Sequence, residues 1–144
     1  MLKKLLVIAA LSFTMVGCAS VKMADPAQDL QAKQFTPKAN AAGVYIYRNE
    51  SMGAAAKMDV SLDGKLLGQT AKKTYVFAEV QPGSHTVTSK AENTSEVTID
   101  AVAGKLYYVW QEVKMGVMSA RNKLTVVDEA TGKAGVNQCN LIAQ

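Results

Sequence analysis

The sequence predicts an all-β protein, a single antiparallel β-sandwich of about seven or eight short strands preceded by a short N-terminal helix. Two observations indicate this fold class. β-branched and aromatic residues recur in short runs from residue 43 onward, and turn residues separate these runs at short, regular intervals. With 144 residues, the chain has room for one such domain and a targeting segment.

The clearest predicted element is a hairpin over residues 58–68. Residues 58–62 alternate between apolar and polar side chains, and the Asp63-Gly64 dipeptide that follows is typical of a two-residue turn. The other predicted strands cover residues 44–47, 75–80, 85–89, 96–99, 106–113 and 124–127. Turns are expected at residues 81–84 and at Gly104, and residues 128–144 are expected to form a short helix and a final extended stretch.

The aromatic residues of two strands divide by face, because successive side chains of a strand point to opposite sides. If one face enters the core, the other is an outer sheet surface. The inward set is then Val44, Ile46, Tyr107 and Val109, and the outward set is Tyr45, Tyr47, Tyr108 and Trp110. An exposed outward set would suit stacking on sugar rings or on a partner protein. The alternative is that Trp110 is the core tryptophan of the sandwich.

A short helix is predicted at residues 26–34, before the first strand. Asp25 suits the N-cap, Pro26 suits the first helical position, and Pro37 prevents continuation. Leu30 and Phe35 are the expected anchors onto the domain. The rest of residues 18–42 is expected to act as a spacer of roughly 25 Å if flexible.

The first 17 residues have the form of an export signal. Lys3 and Lys4 precede an apolar stretch over residues 5–16, which is too short to span a bilayer as a helix. Residues 15–18, Met-Val-Gly-Cys, resemble a lipobox, with Met and Val where Leu and Ala or Ser are usual. The expected product begins at Cys18, which carries a diacylglycerol thioether and an N-acyl chain such as palmitate. The alternative is an ordinary signal peptide with an incidental cysteine.

These features divide the chain into three predicted regions, which are a signal peptide at 1–17, the lipidated tether and helix at 18–42, and the sandwich at 43–144. Ala19 follows the cysteine, where Asp would indicate inner-membrane retention, so the resemblance to Gram-negative lipoproteins implies the outer membrane, facing the periplasm. Cleavage would remove Lys3 and Lys4 from the 16 basic residues. The 14 that remain face 12 acidic residues, so the formal net charge of the mature chain is +2. The basic residues are dispersed, which argues against nucleic acid as a partner.

The order of several short motifs resembles the domain of unknown function 2846 family. These motifs span about residues 30 to 135 and stand at residues 32–35, 44–48, 62–65, 82–86, 103–108 and 127–129. The family consists largely of small bacterial lipoproteins with an immunoglobulin-like or PEGA-like sandwich. The resemblance implies a fold and a location, and it carries over no active site.

No group of residues forms a convincing catalytic or metal site. Ser84, His85 and Asp63 are the residues from which a triad could be assembled, but no nucleophile elbow accompanies them. His85 is expected to cap or pack its turn. Thioethers at Met115 and Met118 favour soft metals, but a flexible apolar hairpin tip fits better without nearby His or Cys.

Cys139 is the one thiol that remains after lipidation, and it is expected to be buried or, alternatively, available for an intermolecular bridge. These features favour a non-enzymatic envelope lipoprotein that binds or supports an envelope protein partner, with no cofactor apart from the lipid on Cys18. The alternative is a lipoprotein that recognises peptidoglycan through an aromatic sheet face.

Overall fold

Two sheets pack face to face in the computed structural model, which describes residues 21–52 and 56–144. The elements in chain order are α1 (Pro26–Ala32), β1 (Ala42–Arg48), β2 (Met58–Leu62), β3 (Lys65–Thr70), β4 (Thr74–Val80), β5 (Gly83–Lys90), β6 (Thr94–Ala101), β7 (Leu106–Met115), β8 (Ala120–Val127), α2 (Glu129–Asn137) and β9 (Asn140–Leu141). One sheet has the order β8-β7-β1-β4-β9 and the other has the order β3-β2-β5-β6. The all-β prediction and the short N-terminal helix are therefore confirmed.

Most neighbouring strands are antiparallel, but two pairings are parallel. β1 pairs with β7 in parallel, so that Tyr45 lies beside Tyr108 and Tyr47 beside Trp110. β4 pairs with the two-residue β9 in the same sense. The predicted hairpin at Asp63-Gly64 joins β2 and β3 as expected, and the C-terminal segment forms the expected helix and extended stretch.

The core between the sheets contains the predicted inward set. Val44, Ile46 and Val109 are fully buried there, and Tyr107 packs against the same cluster while partly exposed. The Tyr107 hydroxyl accepts from the Val102 N–H at 2.9 Å and donates to the Asp100 carbonyl at 3.2 Å. Because this hydroxyl bonds to backbone groups, the ring packs against the core while its polar atom keeps hydrogen-bond partners.

The prediction for the N-terminal helix is partly wrong. Phe35 packs against Tyr45 and Tyr108 as expected, with ring centroids 5.4 and 6.0 Å apart. Leu30 is 67% exposed and anchors nothing. The Asp25 side chain makes no capping hydrogen bond. The apolar residues of the helix suggested the wrong face for its contact with the domain. The contact is made through the polar residues Asp29 and Lys33.

The described part of the predicted spacer packs on the sandwich. Ala24 N–H donates to the Leu141 carbonyl at 3.0 Å, and Ala143 N–H donates to the Lys22 carbonyl at 2.9 Å. Residues 21–42 therefore do not form a flexible tether. The predicted signal peptide and Cys18 lie outside the described residues.

Candidate functional site

The outer face of the five-stranded sheet carries a second apolar layer, which we call the outer aromatic cluster. Its buried members are Tyr45, Tyr47, Tyr75, Tyr108, Val136 and Cys139. Helix α2 packs on β7 and β1, and α1 packs on β9 beside it. The domain therefore has three layers, two sheets and a layer of helices, with one apolar cluster at each of the two contacts between layers.

The prediction of an exposed aromatic strip is wrong. The four side chains do share the outer face, but Tyr45, Tyr47 and Tyr108 are each only 2% exposed. The two helices and the C-terminal segment cover them. Burial raises the pKa of Tyr47 and of Tyr108 to about 12, and it raises that of Tyr45 further. No sugar ring can stack on these tyrosines in this structure.

Trp110 lies on this outer face and not between the sheets, so it is not the core tryptophan. It is partly buried against the outer aromatic cluster, and its indole N–H donates to the Asn49 side-chain oxygen at 3.1 Å. Its hydrogen bond connects β7 to the loop after β1, so Trp110 contributes to the structure at this point.

His85 caps its turn, as the sequence predicted. Its Nδ1 lies 2.5 Å from an Asp63 carboxylate oxygen, and its Nε2 lies 2.6 Å from the Gln81 carbonyl oxygen. Because both partners are acceptors, both ring nitrogens are occupied, and neither can take a proton from Ser84. The contact between His85 and Asp63 is a link between two turns and not part of a triad.

The link between His85 and Asp63 predicts a pH-dependent contribution to stability. The hydrogen bond to Asp63 raises the pKa of His85, and the same bond lowers that of Asp63. The stabilisation from His85 is complete below its unfolded pKa of about 6.5 and is lost as the pH rises through the raised folded value.

We expect His85→Ala to cost under about 1 kcal/mol near pH 5.5, because the pair is close to the surface. The cost should shrink above pH 8. Urea denaturation of wild type and variant at both pH values measures it. A cost that grows with pH would contradict the assignment.

Cys139 is a free thiol buried in the outer aromatic cluster at 1% exposure, which confirms the expected burial. Its Sγ lies 3.4 Å from the Arg48 carbonyl oxygen. Burial raises the pKa of the thiol to about 12. Because the reactive species is the thiolate, we expect native Cys139 to resist a thiol reagent at pH 8 and to react fully in 6 M guanidinium. Rapid native labelling would contradict this burial.

The turn between β7 and β8 is an exposed apolar hairpin tip, formed by Met115, Val117 and Met118. Val117 and Met118 are each 91% exposed and Met115 is 77% exposed. The predicted apolar tip is thus present. These side chains lie at the end of the β7–β8 hairpin, where they are exposed to solvent.

The hairpin tip is held in place by Glu92, from the turn of the opposite sheet. One Glu92 carboxylate oxygen accepts from the Ser119 N–H at 2.8 Å and from the Met118 N–H at 3.2 Å. These backbone hydrogen bonds lower the pKa of Glu92, the bond from Ser119 most. The other oxygen lies 3.6 Å from the Arg121 guanidinium. Sequence reasoning missed this brace because Glu92 and Met118 are 26 positions apart in the sequence.

Two general features of the described residues bear on function. No group of three or more His, Cys, Asp or Glu side chains in residues 21–52 and 56–144 is placed to hold a metal ion. Within the same residues, no helix is long and apolar enough to cross a membrane. The features that remain are a buried aromatic layer and an exposed apolar tip.

This architecture defines a small β-sandwich module with a helical cover. The chain belongs to the family described as protein of unknown function (DUF2846), whose model matches residues 38–123. It is also similar to an uncharacterized protein of Haemophilus influenzae strain Rd, with 31% identity over 136 residues. That alignment covers 93% of this chain and 81% of the relative. The family resemblance expected from the motif order is confirmed.

Proposed function

We propose that the chain is a lipid-anchored protein of the outer membrane, facing the periplasm, and that its domain is a non-catalytic module for an envelope protein partner. The observation that carries the binding role is the exposed apolar hairpin tip. The sequence features that support the anchor are the short apolar leader and Cys18 directly after it.

The anchor would hold the domain close to the bilayer. Val21 packs against the core between the sheets. Only two residues, Ala19 and Ser20, lie between it and Cys18, and the three Cα–Cα steps span about 11 Å at most in a fully extended chain. The roughly 25 Å expected for a flexible spacer therefore does not apply, and the lipid would keep the edge near Val21 at the membrane surface.

The hairpin tip has the composition and the rigidity of a protein-binding element. Met is enriched in interface cores, while charged residues lie at interface rims. Lys114 and Arg121 flank the tip and are partly exposed. Because Glu92 already orders the turn, its binding would lose little conformational entropy. We therefore propose a protein with an apolar pocket as the partner.

The glycan alternative has less support than the protein partner. It depended on an exposed aromatic face, and three of its four residues are covered. Sedimentation of the lipidated protein in detergent with purified sacculi tests it directly. Saturable binding to sacculi that is lost in the Trp110→Ala variant would indicate that the ligand is a glycan and not a protein partner.

The anchor is tested by replacing Cys18 with Ser in the full-length chain. Labelled palmitate should appear in the wild-type protein and not in the variant, and only the wild type should fractionate with outer membranes. Labelling of the variant at the wild-type level would overturn lipidation at Cys18.

The partner is tested by placing a photo-crosslinking amino acid at Val117 in intact cells. The matched control position is Leu66 on β3, an exposed apolar residue at the far edge of the other sheet. We expect one protein adduct specific to position 117, and we expect Met118→Asp in the same chain to remove it.

Three outcomes would overturn the partner proposal. These are no adduct at position 117, the same adduct at Leu66, or an adduct with the mass of two copies of this chain. Thermal unfolding of the Met118→Asp variant should match wild type within about 2 °C, because the side chain contacts solvent and contributes little to stability.

A further inference from the structure

The edge of the five-stranded sheet is only partly paired at β4. Strand β9 covers the first two residues of β4, Thr74 and Tyr75. Next to it, Ile142 N–H donates to the Tyr75 carbonyl at 3.1 Å. Over the described ranges 21–52 and 56–144, no strand pairs with residues 77–80 on this side.

A side chain takes the place of the next strand residue at this edge. The Gln144 amide oxygen accepts from the Phe77 N–H at 3.1 Å. That N–H would otherwise bond to a backbone carbonyl if β9 continued. The hydrogen bond therefore marks the line along which a further strand would lie.

The alternation of a strand fixes which backbone groups face outward. The Tyr75 carbonyl and the Phe77 N–H both point away from β1. In an antiparallel pair, the two backbone groups of one residue face the same side, and the pattern repeats every second residue. The Phe77 carbonyl and both backbone groups of Glu79 are therefore directed away from β1 as well.

A groove of about 600 Å³ lies along this edge. Three amide side chains of α1 and the segment after it line one wall, and Tyr45 and Phe77 line the floor. The amide residues are Gln28, Gln31 and Gln34. Lys38 and Glu79 also line the groove, and the Lys38 ammonium lies 2.6 Å from a Glu79 carboxylate oxygen.

We propose that this groove binds an extended peptide segment, which adds to β4 beside residues 77–80 and continues the line of β9. The Phe77 carbonyl and both backbone groups of Glu79 supply hydrogen bonds at strand spacing, and the Phe77 N–H joins them when the peptide displaces the Gln144 side chain. Alternate side chains of the peptide would then enter the groove, where amides and an aromatic floor meet them. This site goes beyond the proposed function, since it requires neither the lipid on Cys18 nor the hairpin tip.

The groove fits a peptide better than a sugar. The Tyr45 hydroxyl already donates to the Ala32 carbonyl at 2.7 Å. The Phe77 ring is partly buried against Tyr45, with centroids 4.6 Å apart. The two rings therefore already pack on each other, whereas the strand edge presents backbone groups that match a peptide backbone.

The test uses the full-length lipidated protein in nanodiscs and a library of random linear decapeptides, with empty nanodiscs as counter-selection. The probes for measurement are the enriched peptides. Glu79→Pro removes the outward N–H and is tolerated at a strand edge. Glu79→Gln keeps that N–H and loses the ion pair with Lys38, so it is the matched control.

We expect enriched peptides to bind wild type and Glu79→Gln with similar Kd, and Glu79→Pro with a Kd raised about tenfold. The Glu79 amide should exchange more slowly with solvent in the wild-type complex, a readout that does not depend on how well Glu79→Pro folds. Failure to enrich any peptide, equal binding by both variants, or unchanged exchange at Glu79 would overturn the proposal. Disaccharide-peptide fragments of sacculi that bind through their sugar alone would also overturn it.

Discussion

Replacing Asp29 with Ala is expected to lower the free energy of unfolding by about 3 kcal/mol. One Asp29 oxygen accepts from the Tyr75 hydroxyl at 2.6 Å and from the Leu141 N–H at 3.2 Å. The other lies 3.0 Å from the Lys33 ammonium. A single carboxylate thus joins α1 to β4 and to the C-terminal strand.

The large effect follows from the groups that the substitution leaves behind. Tyr75 is fully buried, so its hydroxyl would lose its acceptor away from water. Lys33 would keep its contact with the Cys139 carbonyl, at 2.5 Å, but lose its counter-charge. We expect α1 to detach and the chain to become sensitive to trypsin at Lys33.

The matched control is Asp25→Ala, four residues earlier. The Asp25 side chain makes no capping hydrogen bond, so its removal should change stability by less than about 0.5 kcal/mol. Urea denaturation of the three proteins measures the difference. Equal losses for the two substitutions would show that Asp29 does not join these elements.

The second large effect is expected from adding one methyl group to α2. By helix propensity alone, Gly135→Ala should stabilise the protein by up to about 1 kcal/mol. A Cβ at Gly135 would instead overlap the Tyr47 ring, and one at Gly132 would overlap the Tyr108 ring. Both rings are 2% exposed and cannot move into solvent without uncovering the outer face.

We therefore expect Gly132→Ala and Gly135→Ala each to destabilise the protein by about 2 kcal/mol, in the range of overpacked cores. Ala134→Gly, at an exposed position of the same helix, calibrates the propensity effect at about 1 kcal/mol. Thermal and urea unfolding provide the measurement. A gain in stability at Gly135 would mean that α2 does not pack this closely on the sheet.

Local sequence patterns predicted most of the strands and the division of their faces. Alternation in β1 and β7 separated Val44, Ile46 and Val109 from Tyr45 and Tyr108, because the two-residue period of a strand is a local property. The turn at Asp63-Gly64 was predicted for the same reason. These elements depend on neighbouring residues only.

The covering of the outer face was not predicted, because it depends on residues that are distant in sequence. Leu30 is apolar and exposed, while the polar Asp29 makes the contacts, so hydrophobicity pointed to the wrong side of α1. A usable signal did exist in α2. Gly132, Gly135 and Val136 lie on one helical face, a spacing that indicates close packing on large side chains.

The candidate site was only partly foreseen. Met115 and Met118 were expected at an apolar tip, but its brace at Glu92 comes from another hairpin. The groove beside β4 involves α1, a strand edge and the last residue of the chain, and no local pattern connects these.

The pairing of residues 22–24 with residues 141–143 also has a consequence for the order of folding. The two ends of the described chain close the same part of the molecule, so this contact has nearly the largest sequence separation available. Contacts of that kind form late, since the loop that they close must first be ordered. The cover over the tyrosines can therefore be completed only after residues 141–143 have been synthesised, and until then the incomplete chain exposes an apolar surface that chaperones can recognise.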